Sequence, residues 1–234
     1  MINLLEKHIL LDETTSFNFE CKFCGNCCKQ MLIRLTPFDI INLAQSLKLP
    51  TYDFISEYVV FLKAPNIKWF LAALKHVKKG NCMFKKGKKC SVHFSRPLPC
   101  RLFPVGRKDN TYILHKTEYC KGHISNSKFI LEEWLNDSEA LPYLEMSQKF
   151  YNFMEYDFSK LSAKNKKIFY KLIYDYDSAS LESTVCLDKS KDKVELCFQM
   201  ATWFLNKYED IEVSDEEFLS AYEKQVLKAA ANFK

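Results

Sequence analysis

Cys21-Lys22-Phe23-Cys24-Gly25-Asn26-Cys27-Cys28 places four thiols within eight residues, and Cys82, Cys90, Cys100 and Cys120 follow at wider intervals. The two-residue gaps let neighbouring thiolates converge on one centre without closing a long loop, so little chain entropy is lost. Gly25, inside the run, lets the backbone turn tightly and approach a metal or a sulfide. The plain alternative is a set of buried free cysteines acting as small apolar side chains. Lys22, Asn26, Lys29 and Gln30 surround these four, which argues for a site. The N-terminal stretch MINLLEKHILLDETTSF has no basic segment followed by an apolar one, so no signal peptide is read. Ten Cys without an export signal are expected to be reduced, cytoplasmic thiols, and such clusters bind metal or do redox work.

Working outward, the 234 residues are 47% hydrophobic, 27% charged and 15% aromatic, which describes a globular chain with ample core. The net charge of +5 is mild and the Lys are dispersed, so nucleic acid is not an expected partner. No apolar run approaches the ~18 residues of a membrane span, so no membrane partner is expected either. Only five Gly occur, with no GxGxxG and no GxxxxGKS/T, which excludes a dinucleotide-type Rossmann domain and a P-loop enzyme.

All five Gly lie between Gly25 and Gly122, and no Pro follows Pro142. Stretches free of both favour helices. The expected fold is α+β and mainly helical, as a single domain over 1–234. A loop-rich cysteine-cluster module with short strands (1–124) packs against a helical C-terminal half (125–234). Phe17–Glu20 reads as an extended entry to the first Cys run, and Met31–Leu35 as a strand. Thr36-Pro37-Phe38-Asp39 starts a helix, with Thr as N-cap, Pro at N1 and an acid at N3. A second helix starts at Thr51, and 66–77 reads equally as strand or helix. Cys82–Phe84 and Cys90–His93 flank a Lys/Gly turn as in a hairpin, and Tyr112–His115 is a further strand. The chain is helical from Ser125. There Leu196, Met200, Trp203 and Phe204 share one face, and Phe218, Tyr222 and Val226 another, behind a Ser214 cap.

Tetrahedral thiolate sites suit zinc or iron–sulfur. Zinc ribbons usually show two separated CxxC knuckles. The CxxCxxC run instead resembles the first three ligands of a ferredoxin-type cluster, whose fourth ligand comes from elsewhere. That favours a 4Fe–4S cluster over zinc. Ionising eight Cys takes the net charge from +5 to −3, and two centres of about +2 each return it to about +1. Each site stays anionic locally, so cations and N–H donors should gather around it. Three of the four Arg in this Lys-rich chain, Arg96, Arg101 and Arg107, lie within twelve residues around Cys100. The planar guanidinium fork is not replaceable by Lys. Arg96 and Arg101 are therefore read as donors to ligand sulfurs or as an anion-binding pair, with a loop-holding Arg–carboxylate brace as the equal alternative.

These residues together resemble the YkgJ-type cysteine-cluster family, described as zinc- or iron-chelating. The shared pattern is CxxCxxCC at Cys21–Cys28, then Cys82, then Cys90 through Arg96-Pro97, Cys100-Arg101 and Phe103-Pro104, then Cys120-Lys121-Gly122. The resemblance spans about residues 17–124 and implies a metal or iron–sulfur site built from all eight of these Cys. It departs at His93, where Tyr is usual and which is read as packing, and at Lys121, where Pro is common. The family also includes flagellin lysine N-methylases. This implies two further readings: a SAM-dependent protein-lysine methylase with a protein substrate, its SAM carboxylate meeting Arg96 and Arg101, or an iron or zinc chaperone with a protein partner.

Cys186 and Cys197 fall outside the pattern, and Cys197 is expected to be a packed core thiol. His8, His76 and His115 lack ligand spacing, and His123 is weighed as a ligand and set aside. Trp69, Phe70, Trp134, Tyr143, Phe150, Tyr151, Phe153 and Tyr156 are read as core. Lys85-Lys86-Gly87-Lys88-Lys89 is read as a solvated hairpin tip.

Overall fold

The computed structural model describes residues 7–63, 70–77, 81–87, 89–108, 111–179, 187–209 and 211–233. The fold is α+β and mainly helical, with small antiparallel strand pairs. The chain divides into two compact units, one of Met1–Arg34 and Leu74–Leu144, the other of Leu35–Ala73 and Glu145–Lys234. This division does not follow the 124/125 boundary expected from composition. Segment 35–73 groups with the C-terminal helices.

The first unit is built on short strands. Lys7–Leu11, Thr111–Lys116 and Val105–Lys108 form a three-stranded antiparallel sheet with Thr111–Lys116 in the middle. Tyr112 and Ile113 suit a strand because aromatic and β-branched side chains pack well on a pleated surface. Phe17–Asn18 pairs with Lys128–Phe129, so a strand precedes the first helix of the expected helical half. Two short strand pairs follow, His76–Val77 with Asn81–Cys82 and Lys85–Lys86 with Lys89–Cys90; the hairpin expected between Cys82–Phe84 and Cys90–His93 is thus narrower, since Cys82 pairs with His76 and the hairpin's ladder extends only by the Ser91 N–H to the Phe84 carbonyl at 2.9 Å. The core beneath them is aromatic. Trp134 meets Phe19 edge-on at 5.3 Å and Phe129 at 5.3 Å, and its indole N–H donates to the Leu102 carbonyl at 2.8 Å. A buried ring such as Phe19 contributes about 1.5–3 kcal/mol, and the partly buried Phe129 less. The strand expected over Met31–Leu35 does not form. Met31 closes the four-residue helix Cys27–Gln30, its N–H donating to the Cys27 carbonyl at 3.0 Å, and Thr36 already caps the next helix. Chain is left for only one antiparallel bridge, at Arg34: the Leu74 N–H donates to the Ile33 carbonyl at 2.9 Å and the Leu35 N–H to the Ala72 carbonyl at 2.8 Å.

The second unit is helical. Pro37–Leu47 starts as its sequence dictates: Asp39 N–H donates to the Thr36 hydroxyl, and the Asp39 carboxylate accepts the Thr36 N–H at 2.8 Å. Thr51–Tyr58 follows. The strand Val59–Lys63 pairs with Phe70–Leu74, which makes the C-terminal part of the ambiguous 66–77 stretch a strand, while 66–69 lies outside the described residues. Ser190–Tyr208 is the central helix. Val194, Leu196, Cys197, Met200, Ala201 and Phe204 are all fully buried on it and, at 100° per residue, span about half its circumference, a broad apolar face. Pro37–Leu47, Ala163–Tyr174 and Asp215–Ala230 pack against it. The expected faces close as read: Phe218 stacks on Tyr222 at 5.2 Å, and Tyr222 and Val226 are buried. Asn165, wholly buried, spends its amide on the Tyr208 and Ile211 carbonyls, both at 2.9 Å. No helix among the described residues is long and apolar enough to cross a membrane.

Candidate metal centre

The cysteine unit leaves a cavity of about 300 Å³ whose wall carries Cys21, Cys24, Cys27, Cys28, Cys82, Cys90, Cys100 and Cys120. Local chain chemistry puts each of them there. Cys21 leaves the Phe17–Asn18 strand beside the Cys120 turn, because the Glu20 N–H donates to the Gly122 carbonyl at 3.0 Å. Any side chain at 122 would press Phe19 at 2.6 Å and the Glu20 carbonyl at 2.8 Å, so only glycine permits this approach. Phe23 and Gly25 lie in the left-handed region at φ 50 and φ 70, which curls the CxxCxxCC run around the cavity. The Asn26 amide ties the run to the Tyr119 carbonyl at 2.6 Å. Cys82 ends a strand paired to His76, Cys90 sits opposite Lys85 in the hairpin, and Cys100 lies in the helix Leu98–Leu102.

Three of these thiols share a local device. Cys82 accepts backbone N–H bonds from Phe84 and Lys85, Cys90 from Val92, and Cys120 from Gly122 and His123. An N–H two residues onward aimed at each sulfur stabilises its thiolate form. Burial opposes this and pushes all three thiols up overall. Cys28 differs. A hydrogen bond from the Cys27 thiol, helped by the Lys85 charge, lowers it from 9.0 to about 7. Cys27, as the donor and a buried one, is pushed up. Among the described residues, no three Cys, His, Asp or Glu side chains already converge tightly enough to chelate an ion. The sulfurs stand around the cavity wall.

Cations do gather. Lys22, Lys85, Lys89, Arg96 and Arg101 all line the cavity. Arg101 is 3% exposed and braces the loop: it donates to the Ser138 carbonyl at 3.1 Å, the Glu139 carboxylate at 3.0 Å, the Phe94 carbonyl and the Tyr143 hydroxyl at 3.1 Å. Its guanidinium also lies 4.3 Å from the centre of the Tyr143 ring. Among the described residues, the Arg101 Nε–H has no partner. Arg96 donates to the His93 carbonyl at 3.0 Å and faces the charges of Cys100 and Cys21.

Lys85 was not legible as a site residue. It belongs to the expected solvated hairpin tip, yet its side chain lies over Gly25, where an added Cβ would meet Lys85 Cε at 2.2 Å. Its charge acts on Cys28. Lys86 keeps the exposed tip, Lys89 is exposed and also reaches the cavity, and Lys88 lies outside the described residues. His93 packs as expected, 5.1 Å from the Phe23 ring, and also reaches the cavity. His123 is not part of the cavity wall; it packs edge-on to Phe19 at 5.6 Å. Cys197 is a fully buried core thiol whose burial pushes it up, and Cys186 lies outside the described residues.

Eight soft sulfur donors, backbone N–H groups aimed at three of them, and a cationic wall fit a thiophilic metal centre. Residues 20–121 match the family described as "CxxCxxCC: Putative zinc- or iron-chelating domain". An uncharacterized protein of Methanocaldococcus jannaschii is 31% identical over 146 residues, covering 58% of this chain and 72% of its own. No solved structure matches.

Proposed function

Because the chain belongs to the CxxCxxCC family of zinc- or iron-chelating domains, we propose that its eight cavity cysteines hold metal as thiolates, in an iron–sulfur cluster in preference to zinc. The observation that carries this reading is the cavity itself: eight thiols from segments a hundred residues apart in sequence wall one space. A cluster supplies electron transfer when bound; zinc closed in by four thiolates supplies structure. A cavity of about 300 Å³ among the sulfurs favours a centre that brings its own sulfide over a lone ion. The residues do the rest. Lys22, Lys85, Lys89, Arg96 and Arg101 offset the negative charge of the thiolates, and the aromatic wall of Phe19, Phe103 and Trp134 limits water. A reducing, cytoplasmic compartment is where such thiols stay available.

Anaerobic purification with metal analysis and a visible spectrum tests this. A brown protein with broad thiolate-to-iron absorbance, bleached by dithionite, is expected. A colourless protein holding zinc overturns the iron–sulfur preference and keeps the eight-thiolate site, and a protein free of both overturns the site. Isothermal titration of the loaded protein with SAM decides whether the unpartnered Arg101 Nε–H and its neighbours also serve a methylase.

A further inference from the structure

We propose that the aromatic lip of the cysteine cavity, formed by Phe23, His93 and Phe94 in a basic surround, is the docking surface for a protein partner that presents an acidic rim around an apolar socket. That the partner works on a metal centre rests on the reading that the cavity holds metal; the surface itself does not.

Phe23 and His93 line the cavity and also reach solvent, which puts them at its mouth. Their rings lie 5.1 Å apart, and the His93 ring meets that of Phe94 edge-on at 6.2 Å. The three rings form one continuous knob. Phe94 is 90% exposed and Phe23 48%. A lone exposed apolar residue is ordinary, but a contiguous aromatic group in water beside a site marks an interaction surface. The knob is held in place from behind. The Phe94 carbonyl accepts a bond from the buried Arg101 guanidinium. The Ser95 N–H donates to the Val92 carbonyl at 3.0 Å, and the Arg96 guanidinium to the His93 carbonyl at 3.0 Å. Phe23, at φ 50, keeps a left-handed backbone that a bulky residue seldom occupies. Rings ordered in advance lose little freedom when covered, which is what an interface anchor needs.

Charge says what the partner carries. The Lys divide almost evenly between the units, fourteen in the cysteine unit and sixteen in the helical one, but all four Arg fall in the cysteine unit and nineteen of the 29 acids in the other. The cysteine unit therefore has eighteen Lys and Arg against ten Asp and Glu, a net of +8, and the helical unit sixteen against nineteen, a net of −3. The segment 74–108, which carries His93 and Phe94, has eleven Lys and Arg and no acid. Eight thiolates around two centres of about +2 each would remove about four of these charges and leave the unit basic. Lys22, next to Phe23, and Lys86 and Lys89 of the hairpin are exposed. A few carboxylates stand there too. Asp137 lines the cavity, and the exposed Glu139 shares the Arg101 guanidinium with the Phe94 carbonyl. A rim of both signs suits a protein surface better than a phosphate backbone or an anionic membrane. The rings also pack on one another and do not stand apart as faces for stacking bases.

The test uses the full chain, purified anaerobically, with a phage-displayed library of random short peptides as the probe. Selected peptides should share Asp or Glu around an aromatic or aliphatic residue, and their binding should weaken as salt is raised. Phe94→Ser should weaken binding about tenfold or more while keeping wild-type melting temperature and metal per chain, because its ring packs against little. Bound peptide should slow the loss of metal to chelator, since it covers the mouth. A library that yields no binder, peptides without the acidic–apolar pattern, acidic peptides that bind Phe94→Ser as well as wild type, or binding that leaves chelation unslowed overturns the proposal. So does a different occupant: tighter binding of single-stranded oligonucleotide or of phosphatidylserine vesicles that Phe94→Ser abolishes, or a wild-type dimer in sedimentation that Phe94→Ser makes monomeric. Wild type free of metal overturns the metal reading instead, and the peptide binding then decides the docking surface alone.

Discussion

The helical unit and the cysteine unit bury themselves by different chemistry. In the helical unit, Phe169, Met200, Phe204 and Val226 are fully buried around one central helix, so side chains alone complete the core. The cysteine unit has short strands, three helices of seven residues or fewer, and a cavity walled by thiols at its working face. Ionised as ligands, its eight sulfurs would outnumber the five cations of the cavity wall, and a bound metal would make up the difference. The comparison teaches that stability in the second unit comes from packing, and we propose that in the first it comes from packing completed by a bound metal.

Metal removal should produce the largest effect. Structural thiolate sites supply on the order of 10 kcal/mol of folding energy. A chain of this size melts about 2–4 °C lower per kcal/mol lost. Calorimetry under reducing conditions should therefore show chelator lowering the melting temperature by more than ~10 °C. The chain enters each unit twice, at breaks after Arg34, Ala73 and Leu144, so we expect one transition throughout. Two transitions, with only the lower one moved by chelator, would break the single-domain proposal and make the units independent.

Arg101→Lys comes next, at about 2–3 kcal/mol by denaturant unfolding, since charged hydrogen bonds to Ser138, Phe94 and Tyr143 are lost and Lys cannot reproduce the fork. Metal should also be lost more readily to chelator, because this brace holds the loop bearing Cys100. Cys197→Ala, in the helical unit, should cost about 1 kcal/mol and leave metal per chain unchanged. Altered metal content there would erase the contrast between the units.

The smallest effect is a pH profile. In metal-free protein Cys28 is lowered from 9.0 to about 7, first by the Cys27 thiol. A depressed folded pKa adds stability that is present above the ordinary thiol value and is lost as pH falls through about 7. Alkylation of Cys28, followed by peptide mapping, should accordingly rise around pH 7, and Cys27→Ala should shift that rise back toward the ordinary thiol range.

What the sequence made legible was local. Thr36, Pro37 and Asp39 specify their helix start within four residues, and the Cys spacing marks its own site. The Gly87 hairpin between Lys86 and Lys89 and the strand through Tyr112 and Ile113 are written in turn and β residues close at hand. What escaped was long-range. Nothing in segment 35–73 announces that its helix packs on Ser190–Tyr208, because an apolar face reads the same whatever covers it. Lys85 looked solvated because a run of lysines hides the one whose stem lies over Gly25. The N–H groups of Phe84, Val92 and Gly122 carry no residue signature at all, since any residue supplies them.

X-ray absorption at the metal edge of the anaerobically purified full chain tests the central claim most directly. The account predicts a first shell of sulfur alone, with a second shell of iron if a cluster is bound, or sulfur at about 2.3 Å if the metal is zinc. A first shell containing nitrogen or oxygen from the protein would contradict an all-thiolate site.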